Sequence, residues 1–134
     1  MTFSFDGVLY DLEIEYEEYE DDYETSFIFI NEFNRKIVIS YYPMQYGGGG
    51  LHLITKFQNG KYHGTQYGWY PIEDGGHQLC ISNYQNGKLH GIQYDWYPIQ
   101  DGGHQKNIKQ YQNNRLHGIQ QYWSKEKLHY TNTY

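Results

Sequence analysis

The chain is short of cysteine, of long apolar stretches and, in its first quarter, of any basic residue. It holds one cysteine in 134 residues. A lone Cys80 cannot form an internal disulfide, which points to a reducing compartment. Its place in the apolar run Leu79-Cys80-Ile81 marks it as a small buried hydrophobe. No apolar run approaches the ~18 residues of a membrane span, so no transmembrane helix is expected. Met1 to Asp6 offers neither a basic nor an apolar signal region. No secretory signal is therefore expected, and the expected location is cytoplasmic. No segment shows a helical hydrophobic period. There is no glycine-flanked serine elbow, and the sequence does not set Cys80 beside a histidine. Nucleophilic catalysis lacks its constellation, and a non-enzymatic protein is expected.

Tyrosine, by contrast, is abundant, with 17 residues. A tyrosine ring buries apolar area while its hydroxyl seeks a partner, which suits a thin sheet with wet edges better than a dry core. The length allows one domain. Within it, three blocks recur at a period of 27 residues: KFQNGKYHGTQYGWY (56–70), NYQNGKLHGIQYDWY (83–97) and QYQNNRLHGIQQYW (110–123). A fixed period of this size marks an array of small supersecondary units. Such arrays present surfaces and rarely enclose a reaction centre.

The units read as β-hairpins. Asn59-Gly60 and Asn86-Gly87 lie between aromatic-rich runs, and Asn-Gly is the strongest short-range sign of a two-residue hairpin turn. Asn113-Asn114 is the third version. On each outgoing strand, alternation sends His90, Ile92, Tyr94 and Trp96 one way and Leu89, Gly91, Gln93 and Asp95 the other. Gly64, Gly91 and Gly118 recur in mid-strand, where a ring from the neighbouring strand lying across each would explain them. Pro71 to His77 and Pro98 to His104 are turn-rich connections. Tyr41 to Gly50 resembles the same strand exit, suggesting a degenerate unit turning at Asn34-Arg35-Lys36. The N-terminal quarter also reads as β, with Asp6-Gly7 as a turn and Phe27 to Ile30 as a strand.

The block tyrosine, asparagine-glycine, histidine-glycine and later tryptophan resembles a MORN repeat, closest to the variant form of bacterial and large-virus proteins. The likeness covers about residues 56–130 and departs from the common pattern in its Pro-Ile-x-Asp-Gly-Gly-His insert. It implies an elongated antiparallel β-meander, a single-layer twisted sheet acting as scaffold or binding platform. MORN proteins have been proposed to bind phospholipids and to mediate protein contacts or dimerisation. Some bacterial members carry an antitoxin label. For a viral member the location would be the virion or host cytoplasm. The resemblance carries over no catalytic residue. The expected organisation is an acidic N-terminal β segment with a degenerate repeat (1–55), then three repeats (56–134).

The seven histidines raise the question of a metal. Equivalent positions in successive hairpins lie two strands apart, about 9.5 Å at ~4.8 Å per strand. Zinc needs its ligands about 2 Å from the ion, so His63, His90 and His117 cannot share one. The Asp74-Gly75-Gly76-His77 and Asp101-Gly102-Gly103-His104 loops bring too few carboxylates for calcium. No metal and no cofactor is expected. The Tyr/Trp stripe is the leading binding candidate: Tyr67, Trp69, Tyr94, Trp96 and Trp123. Lys56, Lys61 and Lys88 are scattered in the sequence. They lack the clustering of a nucleic-acid groove, so direct nucleic-acid binding is not expected, and they give an anionic lipid surface little support.

Charge divides the chain. Residues before Arg35 include eleven acidic and no basic side chains; from Arg35 onward there are ten basic and five acidic. The first quarter is thus −11 and the remainder +5. Glu13, Glu15, Glu17, Glu18, Glu20, Asp21 and Asp22 are a second binding candidate, with Tyr16, Tyr19 and Tyr23 between them. The leading expectation is a protein–protein interaction or assembly module, self-associating or docked in a larger complex. The alternative is an acidic inhibitor, antitoxin or immunity-type protein blocking a basic surface of its partner, either an active site or a nucleic-acid-binding surface.

Overall fold

A computed structural model describes residues 2–17, 25–43, 50–124 and 128–134. The described residues form fourteen strands in one open antiparallel sheet, and the strands follow in chain order. The expected all-β meander of hairpins is the observed architecture. None of the described helices is long and apolar enough to cross a membrane.

β1 (Thr2–Phe5) turns at Asp6-Gly7 into β2 (Val8–Glu17). After it come β3 (Thr25–Ile30) and β4 (Arg35–Tyr41). In the first repeat, β5 (Leu51–Gln58) turns into β6 (Lys61–Tyr62) and β7 (Gly64–Trp69). In the second, β8 (Gln78–Gln85) turns into β9 (Lys88–Leu89) and β10 (Gly91–Trp96). In the third, β11 (Gln105–Gln112) turns into β12 (Arg115–Leu116) and β13 (Ile119–Trp123). β14 (Leu128–Thr133) pairs with β13.

The hairpin turns follow from their residues. Both turn positions have positive φ: 51° and 78° at Asn59-Gly60, 50° and 82° at Asn86-Gly87, 49° and 69° at Asn113-Asn114. Asparagine and glycine tolerate this region at the least cost, which is why the third copy works without glycine. The β3–β4 turn differs from the sequence expectation. It ends at Asn34, with φ 58°, and Arg35 and Lys36 open β4 instead. The reason is Asn31, whose Oδ1 accepts the backbone N–H groups of Phe33 and Arg35 at 3.0 and 3.1 Å and so draws the turn upstream.

The hydrophobic core is confined to one end. Among the described residues, the buried hydrophobic side chains are Tyr10, Phe29 and Ile37, with Phe27, Ile39 and Ile54 packed against them. Phe3 and Phe5 set their ring edges on Phe29, with centroids 5.0 and 5.1 Å away. The β1–β2 hairpin thus lies against one face of the sheet, here called the front. Lys56 Nζ fastens it from the sheet side, 3.1 Å from Asp6 Oδ2.

Candidate functional site

The front face continues past this core into the repeats, and its character depends on how each repeat is stitched. Pairing lapses inside every hairpin. β5 pairs with β7 as far as Ile54↔Tyr67 and with β6 from Phe57↔Tyr62, leaving residues 55–56 opposite 63–66. The same lapse sets 82–83 opposite 90–93 and 109–110 opposite 117–120. The surplus on the outgoing strand contains the histidine-glycine pair, and Gly64, Gly91 and Gly118 take φ of 89°, 101° and 78°. Side chains with a Cβ adopt that region only with strain. No ring crosses these glycines: the nearest side chains are those of Lys56, Asn83 and Gln110. Backbone conformation, rather than packing over the glycine, is what requires them.

A glutamine fills each lapse. Gln66 accepts the Lys56 N–H through Oε1 and donates Nε2–H to the Lys56 carbonyl at 2.8 Å. Gln120 does the same to Gln110, at 3.1 Å for both bonds. Gln93 donates to the Asn83 carbonyl at 3.0 Å. A primary amide presents the donor and acceptor of a peptide group, so it replaces the missing strand neighbour. Gln93 is 6% exposed and Gln120 0%, so the amides are buried where a lost bond is costly. Sequence reasoning passed over these residues. Their signal was the same 27-residue step, three places after each histidine.

Two further sets of bonds join repeat to repeat. The hydroxyls of Tyr42, Tyr70 and Tyr97 donate to the carbonyls of Trp69, Trp96 and Trp123 at 2.6, 2.7 and 2.9 Å. Gln78 donates to the Gly68 and Cys80 carbonyls, and Gln105 to those of Asp95 and Asn107. Histidines take part as well: the His77 Nε2–H donates to the Tyr97 carbonyl at 2.8 Å, and His63 Nδ1 accepts the Asn86 N–H at 3.3 Å. No three of His, Cys, Asp or Glu gather to hold a metal among the described residues.

With the repeats stitched through polar groups, no second layer covers their front face among the described residues. Within residues 51–124, the buried side chains are Gln93, Asn107 and Gln120. Strand register sets Ile54, Tyr67, Ile81, Tyr94, Ile108 and Gln121 in one row across the front, with no charged side chain in it. Tyr67 stacks on Trp69 and Tyr94 on Trp96, each pair with centroids 5.9 Å apart and planes within 22°. All four rings are half-buried, as is Trp123, which has Gln121 in the place of a stacking tyrosine. The structure therefore brings Tyr67, Trp69, Tyr94 and Trp96 into one aromatic platform, with Trp123 at its far end.

The back face carries the polar exceptions. Asp95 lies between Cys80 and Asn107 on the neighbouring strands. Burial raises its carboxyl above the ordinary range, while Lys109, Lys106 and a hydrogen bond from Asn107 pull the other way. Burial, followed by the nearby Asp95, pushes the Cys80 thiol up, opposed by a backbone bond from Gly68. A thiol held protonated is a poor nucleophile. Of the acidic candidates, Glu13 is exposed, and Glu15 and Glu17 belong to β2 opposite Phe27 and Thr25. Glu18, Glu20, Asp21 and Asp22 lie outside the described residues. No protein-family model, curated protein or solved structure matches the chain.

Proposed function

We propose that this protein is a non-enzymatic, MORN-like interaction module that works in the cytoplasm and binds other protein through its front face. One observation carries the reading: an uncharged row of isoleucine and tyrosine side chains, flanked by Trp69 and Trp96, runs across β7, β8, β10 and β11 with no second layer over it among the described residues. Contiguous half-exposed apolar surface of this kind supports a binding role, and tyrosine and tryptophan dominate binding energy where they are buried by a partner. The molecule supplies its own precedent, since the β1–β2 hairpin already covers the adjoining part of that face with Phe3, Phe5 and Tyr10. Affinity capture from the native host tests the reading. Trp96→Ala should weaken capture about 30-fold, the equivalent of ~2 kcal/mol at a central aromatic anchor.

A second reading, an acidic inhibitor of a basic partner surface, draws on the exposed carboxylates Asp11 and Glu13 at the start of the acidic run. Reversing Glu15, Glu17, Glu18 and Glu20 to lysine separates the two. Under the inhibitor reading this variant loses its partner and Trp96→Ala keeps it; under the assembly reading the outcomes exchange.

A further inference from the structure

Basic side chains that stand singly in the sequence are gathered by the fold into a line. Four hairpin turns are each followed at once by a cation: Arg35 after Asn34, Lys61 after Asn59-Gly60, Lys88 after Asn86-Gly87 and Arg115 after Asn113-Asn114. All four are exposed, and none has an ion-pair partner among the described residues. The turns are bonded to one another, which fixes the spacing. Asn59 N–H donates to the Asn34 carbonyl at 3.0 Å, Gly87 N–H to that of Tyr62 at 2.8 Å, and Asn114 N–H to that of Leu89 at 2.9 Å. The stem of Lys61 lies alongside Gly87 of the next turn. Successive cations are two strands apart, about 9.5 Å, so the row is about 29 Å long.

Asp6, Asp11 and Glu32 stand near the tips, with Asp6 paired to Lys56, while a second set of acidic side chains lies toward the opposite ends of the strands. In a meander, the connection after β2 and the connections after β7 and β10 lie away from the hairpin tips. There stand Glu73, Asp74 and Asp101, and there the run from Glu13 to Glu17 in β2 heads. A carboxylate at the far end of β3 is about 20 Å from the tips, since six residues rise ~3.3 Å each. That is about two Debye lengths at 0.1 M salt, so these charges do not neutralise the tip row of their own molecule. Another copy can. The part of β2 that carries Glu13, Glu15 and Glu17 is residues 12–17, about 20 Å of extended chain, which spans three of the four cations. Beyond Asp11 it has no partner on its β1 side among the described residues.

We propose that Arg35, Lys61, Lys88 and Arg115 form a docking edge for the acidic N-terminal strand of a second copy of this chain, giving head-to-tail association. In the head-to-tail arrangement each copy offers its acidic strand to the next, a heterologous contact that leaves both ends open. The row lies at the hairpin tips, past the row from Ile54 to Gln121, and is a different set of residues from the aromatic platform.

Sedimentation equilibrium of the full chain tests it. At 20 mM salt the mean mass should rise with concentration without a fixed limit, and raising the salt to 300 mM should weaken association at least about tenfold. Lys61→Glu, Lys88→Glu and Arg115→Glu together should leave a monomer. So should Glu13→Lys, Glu15→Lys and Glu17→Lys together. Mixing the two variants should restore association, because each supplies the surface the other has reversed. Circular dichroism and urea unfolding establish that both variants are folded. A wild-type monomer at 100 μM and low salt overturns the proposal, as does a mixture that stays monomeric. A wild-type monomer that instead binds a (dT)20 oligonucleotide or anionic vesicles through the tip cations also overturns it, and assigns the row to another polyanion. Trp96→Ala should leave the sedimentation result unchanged; if it alone abolishes association, the contact belongs to the front face.

Discussion

Replacing Gln120 tests whether the repeats depend on a side chain standing in for a peptide group. Gln120 is fully buried, accepts the Gln110 N–H, and donates to the carbonyls of Gln110 and His117 at 3.1 and 3.4 Å. The Gln110 carbonyl also receives the His117 N–H at 2.8 Å, so losing the glutamine orphans chiefly the Gln110 N–H. Leaving one buried donor unpaired costs about 1–3 kcal/mol, and leucine of similar volume recovers part of that by its apolar area. Gln120→Leu should therefore lower unfolding free energy by about 2 kcal/mol. Gln120→Glu is the sharper variant. A carboxylate can still accept the Gln110 N–H, but its second oxygen faces two carbonyl oxygens where the amide had donated. Only the protonated acid restores that donor. The folded-state pKa of the introduced carboxyl is thus raised above its unfolded value, so its stabilising contribution is present below about pH 4.3 and lost as pH rises through the folded pKa. Urea unfolding followed by tryptophan fluorescence reads both effects. Gln120→Glu should be the less stable of the two variants at pH 7 and approach wild type near pH 4. Equal stability of Gln120→Glu and wild type at pH 7 would refute the reasoning.

Gln93→Leu should cost less than Gln120→Leu in the same assay, since Gln93 makes one bond and the Asn83 carbonyl keeps that of His90. Gly91→Ala should lower stability by about 1–3 kcal/mol, because Gly91 has φ 101° and an added Cβ would sit 3.3 Å from that of Asn83. Tyr97→Phe removes the 2.9 Å bond to the Trp123 carbonyl and should cost about 1 kcal/mol in urea unfolding. Asp95→Asn should raise stability at pH 7, because burial lifts the native carboxyl and ionising it there is unfavourable. The gain should shrink as pH falls and vanish below the unfolded carboxyl value of about 3.9, which thermal melts across pH 3–8 would show.

The hairpin turns could be read from the sequence because asparagine and glycine are selected by a local φ requirement that any one turn displays. The outgoing strands were harder. His63, Tyr67 and Trp69 alternate without fault on paper, so nothing local announces that pairing lapses at His63-Gly64. The sign lay in Gln66, Gln93 and Gln120, polar residues that recur although they carry no chemistry an alternating strand would need. Reading Lys61 and Lys88 as scattered had the same origin: each is isolated in its own block, and only stacking the blocks lines them up with Arg35 and Arg115. The aromatic platform was accessible, because the Tyr/Trp alternation downstream of each glycine survives the lapse and puts Tyr67 with Trp69 and Tyr94 with Trp96. That the face lies uncovered depends on where β1 and β2 fold back, which is a long-range packing outcome that no local pattern encodes.

Hydroxyl-radical footprinting of the native complex, read by mass spectrometry, tests the central claim most directly. Tyr67, Trp69, Tyr94, Trp96 and Trp123 should be oxidised in the isolated chain, where they are half-exposed, and protected at least about fivefold when the partner is bound. Equal oxidation of these five side chains in the free and bound protein would contradict the assignment of the front face as the binding surface.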